Sequence, residues 1–162
     1  MVERYRRWFE YEKDAHEMTI ASLQTVPAEA RNEEAFRKAV SLFAHIVIGR
    51  WTWLYRLGHA EKPKAGLFVT GVELHELPSM AEAMHQAWSR YLDGLDETEL
   101  ARLCEYTSTE GDRYRNKAED ILTQLFGHSL YHRGHIASLV KSLGGTPAAT
   151  DFIFWTRDAL RG

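Results

Sequence analysis

The run Gln124-Leu125-Phe126-Gly127-His128-Ser129-Leu130-Tyr131-His132-Arg133-Gly134-His135-Ile136 carries two periodicities at once. Through Ile121, Leu125, His128, His132, His135 and Leu139 the steps alternate between four and three residues, the spacing of a helix face packed on its neighbours. His128 and His132 stand four apart, so their rings share one face and can grip one metal ion. In that register they occupy core positions, where a polar ring costs stability unless each nitrogen finds a partner. A metal, with acceptors behind the rings, supplies both partners. Two hydrogen-bonded core histidines would have the same spacing, and a third ligand is what separates the two readings.

Working outward, three more periodic segments appear. The first runs from about Val2 to Leu23, with Tyr5, Trp8, Phe9, Tyr11, Met18 and Ile20 among charges, and Pro27 marks the break after it. Asn32 can cap the second, which passes through Phe36, Val40, Phe43, Val47, Trp51 and Leu54 toward Gly58. The third opens at Leu77-Pro78-Ser79, with Ser79 and Glu82 spaced as a capping box, and extends to about Asp93. The fourth starts near Asn116 and stops at Gly144-Gly145. Between them, Leu103–Thr107 and Arg113–Arg115 flank Glu110-Gly111-Asp112, which predicts a short hairpin. Four apolar-striped helices imply an all-α, antiparallel four-helix bundle, with that hairpin between helices three and four. Phe152-Ile153-Phe154-Trp155 is a final aromatic segment that must cover apolar surface, on its own bundle or on a second subunit.

With 162 residues, 44% of them hydrophobic, the chain can bury one sizeable core, and a single domain over 1–162 is expected. Twenty basic residues are scattered among 23 acidic ones, a formal net charge of -3, which argues against nucleic acid as a partner. Cys104 is alone, so no internal disulfide can form. No apolar run approaches the roughly 20 residues of a membrane span, and the first residues do not resemble a signal peptide, so a cytoplasmic protein without membrane partners is expected. Five tryptophans and the aromatic tail suggest more apolar surface than one bundle needs, and hence a homodimer.

Bundles build metal sites from side chains that project inward from facing helices. His45, the polar residue in Leu42-Phe43-Ala44-His45-Ile46-Val47-Ile48, is the candidate third ligand with His128 and His132. As a lone histidine in a core helix it can equally be a hydrogen-bonded core residue. Three neutral imidazoles suit zinc, nickel, iron or copper and leave a coordination position open for water or substrate. A rival di-iron reading rests on Glu82-Ala83-Met84-His85, but it lacks the second Glu-x-x-His motif such sites use. His16, His59 and His75 sit in polar or loop-like surroundings and are expected to be solvated. Cys104 has no activating partner in sequence and reads as an inert thiol.

The stretch His128–Ile136, followed by Leu143-Gly144-Gly145-Thr146-Pro147 and Asp151-Phe152-Ile153, resembles the C-terminal signature of the DinB/YfiT-like family. Leu42-Phe43-Ala44-His45, with Trp51-Thr52-Trp53-Leu54 beyond it, is similar to that family's other ligand-bearing element. Carried over residue by residue, the resemblance implies metal ligands at His45, His128 and His132, binding a divalent transition metal such as zinc, nickel or iron. It also implies a metal-dependent enzyme acting on a small molecule, either a transferase that uses a low-molecular-weight thiol or a hydrolase. The alternative is a non-enzymatic metal binder or stress-associated helical dimer. The chain departs from the commoner pattern at Tyr131, often histidine, and His135, often glutamine. Tyr131, Arg133 and His135 are the candidates for a catalytic role beside the ligands; an interhelical ion pair is the simpler expectation for Arg133, and a core hydrogen bond for His135.

Overall fold

The computed structural model describes residues 1–158, and the last four residues of the expected 1–162 domain lie outside the described residues. Four long helices, α1 (Val2–Gln24), α2 (Glu34–Arg56), α3 (Leu77–Asp93) and α5 (Ala118–Ser142), form the expected bundle. A short helix α4 (Glu97–Ala101) and the strands β1 (Leu103–Thr107) and β2 (Arg113–Lys117) separate α3 from α5, and a last helix α6 (Phe152–Thr156) follows α5. The strands pair antiparallel, Leu103 opposite Lys117 and Tyr106 opposite Tyr114, with Gly111 at φ 97° in the turn. The hairpin is therefore as expected. No described helix is long and apolar enough to cross a membrane.

Around the bundle, α1 and α2 each pack on α3 and α5 rather than on each other, so they face across its axis. Phe9 and Leu23 of α1, Phe43 and Ile46 of α2, and Met84 and Trp88 of α3 fill the centre. Helix α5 contributes Ile121, Leu125, Ile136 and Val140, with Ser129 and Arg133 between them in the same buried line. The expected α5 seam through the three histidines is thus rotated. His128, His132 and His135 are half-buried along its edge, because two partner helices, α1 and α2, draw the buried stripe around toward Ser129 and Arg133.

Two expected caps also move. Asn32 closes a 3-10 turn (Ala28–Asn32), and α2 starts after Glu33 with no side-chain cap. The capping box before α3 is Glu73 with Glu76, whose carboxylate accepts from the Glu73 N–H at 2.7 Å. Ser79 instead donates to the Glu76 carbonyl, inside the first turn that Pro78 opens. Helix α4, which was not expected from the sequence, is capped by Asp96, whose carboxylate accepts from the Glu99 N–H at 2.7 Å.

Beyond α5 the chain folds back on its own α1. The Phe152 ring meets Tyr11 edge-on at 5.1 Å, and Trp155 Nε1 donates to Asp14 at 2.6 Å. This return depends on Gly145. A Cβ there would lie 2.9 Å from Val140 Cγ1 and 3.0 Å from both Thr25 Oγ1 and Val26 Cγ2. Val26 and Val140 are fully packed. We expect Gly145→Ala to cost about 1–3 kcal/mol by overpacking, read as a lowered urea midpoint; an unchanged midpoint would refute the tight approach.

Candidate metal centre

His45 leaves α2 almost fully buried, at 6% exposure. Its Nδ1 lies 2.8 Å from the Leu67 carbonyl oxygen. A carbonyl accepts and never donates, so Nδ1 holds a ring proton and Nε2 is the nitrogen left to offer a lone pair inward. There it meets His128 Nε2 at 3.1 Å, and His132 Nε2 approaches His128 Nε2 at 3.1 Å from the other side. The three ligand atoms all lie within 4.8 Å of one another.

Neutral rings cannot satisfy both contacts. If His128 Nε2 bears a proton it can donate to His45 but confronts His132 with no lone pair; if it bears none, His45 and His128 oppose two lone pairs. A cation at the centre resolves the conflict by taking all three lone pairs. Nitrogens bound at about 2.0–2.1 Å, with angles of about 90–110°, lie about 2.8–3.4 Å apart, which brackets the two 3.1 Å contacts of His128. Burial, then the neighbouring histidines, hold His128 down to about 4 and push His132 below its ordinary value, so both rings are neutral and ready to ligate at pH 7. The residues fit a divalent transition metal.

The connection between α2 and α3 backs the site. Phe68 stacks on the His45 ring at 4.5 Å and 6°, although 79% exposed, and Ser41 Oγ donates to the Val69 carbonyl at 2.5 Å. These contacts hold the Leu67 carbonyl behind His45, the outer-shell arrangement that fixes a ligating histidine's tautomer. A cavity of about 90 Å³ touches His45, Gly49 and His128. It shares Thr52, Arg56 and Leu67 with a cleft of about 640 Å³ between this connection and the hairpin. The side on which His45 and His128 meet is therefore reachable from solvent.

The DinB family profile matches residues 1–159. The chain belongs to the DinB family. No curated protein and no solved structure matches it.

In this DinB protein the other candidates beside the ligands separate. Tyr131 is 72% exposed and sets its ring edge against His132 at 5.0 Å. His135 is half-buried near His132 and makes no hydrogen bond among the described residues, so the expected core hydrogen bond is absent. Arg133 is 2% exposed and turned into the bundle, about 100° around the helix from His132. It donates to Ser129 Oγ at 2.8 Å and Tyr11 Oη at 2.6 Å, and Nη1 lies 3.9 Å from Glu12, the expected interhelical ion pair. Its Nε also reaches Thr150 Oγ1 at 3.3 Å, and Tyr11 donates to the Thr150 carbonyl, so this arginine latches the C-terminal segment to the core.

One of the remaining histidines differs from expectation. His59 and His75 are exposed as expected, but His16 is fully buried. His16 Nε2 pairs with Ser129 Oγ at 3.1 Å and its Nδ1 with His85 Nε2 at 3.0 Å. His85 thus belongs to a core network, while Glu82 is exposed and accepts from Gln86, so the two do not form a di-iron motif. The missed signal lay in α1, where Phe9, Glu12, His16, Thr19 and Leu23 keep steps of three and four with polar residues inside the stripe. Cys104 is buried, its thiol pushed up chiefly by burial and donating to the Arg56 carbonyl, as an inert thiol should.

Burial first, then the charge on Arg133, holds His16 well below the usual histidine value; burial, then Arg50, holds His85 at about 4. In the unfolded chain both take protons near 6.5. Between pH 6.5 and about 4 the unfolded state therefore binds more protons, and stability falls as pH drops. Urea midpoints of metal-free protein from pH 7.5 down to 4.5 should stay level at first and then decline through this window. The decline should be shallower in His85→Gln; an identical slope would show that this histidine does not carry it.

Proposed function

We propose that this DinB protein is a metal-dependent enzyme acting on a small molecule, as a transferase using a low-molecular-weight thiol or as a hydrolase, with His45, His128 and His132 as ligands. The observation that carries this reading is the convergence of three Nε2 atoms beside an open cleft. A bound metal with an open position supplies a Lewis acid that lowers the pKa of a thiol or water. The chain does the rest. The Leu67 carbonyl holds the His45 proton at Nδ1, and Phe68 shields one face of the same ring. Tyr131, beside His132 and open to solvent, is the residue we propose for exchanging a proton with substrate.

The test begins with protein purified without a metal-affinity tag. Elemental analysis should find about one transition metal per chain, or metal-free protein should take up one equivalent of zinc, nickel or iron. Small thiols with electrophilic acceptors, and hydrolysable esters and amides, are then screened with loaded and metal-free protein. Turnover that appears only on loading supports the enzyme. A protein that takes up no metal refutes the site, and one that binds metal but turns over nothing in the panel leaves a binder in place of an enzyme.

We further propose a homodimer. Phe154 at 45% exposure and Met18 leave apolar surface uncovered around a cavity of about 350 Å³ beside α6, and Ile153 on the same helix is 65% exposed. Light scattering should give about twice the 18.7 kDa chain mass; the chain mass itself would refute it.

A further inference from the structure

Arg56 is the last residue of α2, and it lies where the small cavity beside the histidines opens into the larger cleft, lining both. Its guanidinium rests 4.6 Å from the Trp53 ring centroid and 4.8 Å from that of Tyr106, and Nη2 donates to the Thr107 carbonyl at 3.1 Å. Aromatic contact and one carbonyl fix the plane of the group, yet they use one of its five N–H donors. No carboxylate among the described residues pairs with it. Lys62 on the same lining adds a second cation that has no carboxylate partner among the described residues, while the acid there, Glu105, is already answered by Arg113 at 2.9 Å. The hydroxyls of Thr52, Ser108 and Thr109 complete a polar wall. A cleft that presents two free cations, one of them a preorganised guanidinium, is complementary to an oxyanion.

We infer that the cleft holds a carboxylate- or phosphate-bearing end of the substrate, with Arg56 selecting it while the reactive end reaches the histidines. The inference rests on the proposed metal site, because it assigns the other end of the same ligand. Structure alone would let Arg56 simply fasten the hairpin to α2, so the readout has to be selectivity. Fastening the hairpin needs only the Thr107 contact and the ring stacking, and leaves the remaining donors of a residue that lines both cavities without a task.

Cobalt-loaded protein is titrated with β-mercaptopropionate and with mercaptopropanol, thiols of matched length that differ in the carboxylate, and the visible absorption of the cobalt reports binding. In the wild type the acid should bind about tenfold more tightly at low ionic strength, a margin ordinary for a charge-assisted bidentate contact. That preference should shrink with added salt. Arg56→Gln should bring the ratio of the two affinities close to one, and Arg56→Lys should keep part of it, since the ammonium retains charge without the fork. Lys62→Gln, on the outer wall, should lower the ratio by a smaller factor. Acetate and inorganic phosphate as competitors tell a carboxylate site from a phosphate site by which of them displaces the acid. Protein that takes up no cobalt overturns the metal reading and this inference with it. Cobalt uptake with equal affinities for the two thiols, or with a preference that Arg56→Gln leaves intact, overturns the anion site alone.

Discussion

His128→Ala is expected to abolish stoichiometric metal binding, lowering affinity by more than the roughly 10–100-fold that follows loss of an outer-shell group. The expectation follows from position. His128 Nε2 is the atom that touches both other ligands, and without it His45 and His132 retain neither a complete donor set nor a fixed geometry. Phe68→Ala should fall within the outer-shell range, because it removes a contact to the His45 ring rather than a donor. His135→Ala should leave affinity close to wild type, since the His135 side chain makes no hydrogen bond among the described residues. The ranking is measured by competition with a chromophoric chelator. Thermal shift supplies an independent readout: metal stabilises whatever binds it in the folded state, so melting should rise with zinc in wild type and stay flat in His128→Ala. An equal rise in both would remove His128 from the site.

The ligands were legible because their signal is local. His128 and His132 advertise themselves by spacing and His45 by being polar in an apolar helix, and resemblance to the family joined them. What the sequence could not place was the register of α5. Steps of three and four fit both the histidine line and the line through Ser129 and Arg133, and the choice depends on where α1 and α2 sit, which is long-range information. The same ambiguity hid His16, which stands between Asp14 and Glu17 in sequence while its neighbours in space are Ser129 and His85. The Leu67 carbonyl lay beyond reach for another reason. Backbone atoms carry no residue signature, and a connection 22 residues away from His45 along the chain gives no hint of returning to it.

Those polar residues on the bundle axis carry the second large effect. Glu12 on α1 meets Arg50 on α2 in a buried ion pair, and Arg133 on α5 stands 3.9 Å from the other oxygen of Glu12. Two guanidiniums thus share one carboxylate where water is excluded. Burial, and after it the like charge of Arg133, drags Arg50 down to about 9. Removing the anion and removing one cation are therefore unequal operations. Glu12→Gln leaves two buried positive charges with no counter-charge and should cost about 3–5 kcal/mol, the range for breaking a buried pair from one side. Arg50→Met should cost less, because Arg133 is close enough to take over Glu12 and the remaining pair is neutral overall. Replacing Glu12 and Arg50 together by leucine and methionine exchanges the pair for apolar packing, which is often nearly neutral, but here it strands Arg133 without its anion and should recover little. Urea unfolding of the three variants tests the order directly. If Arg50→Met proves as costly as Glu12→Gln, Arg133 does not act as the reserve partner, and its work is confined to Tyr11, Ser129 and the C-terminal segment it holds at Thr150.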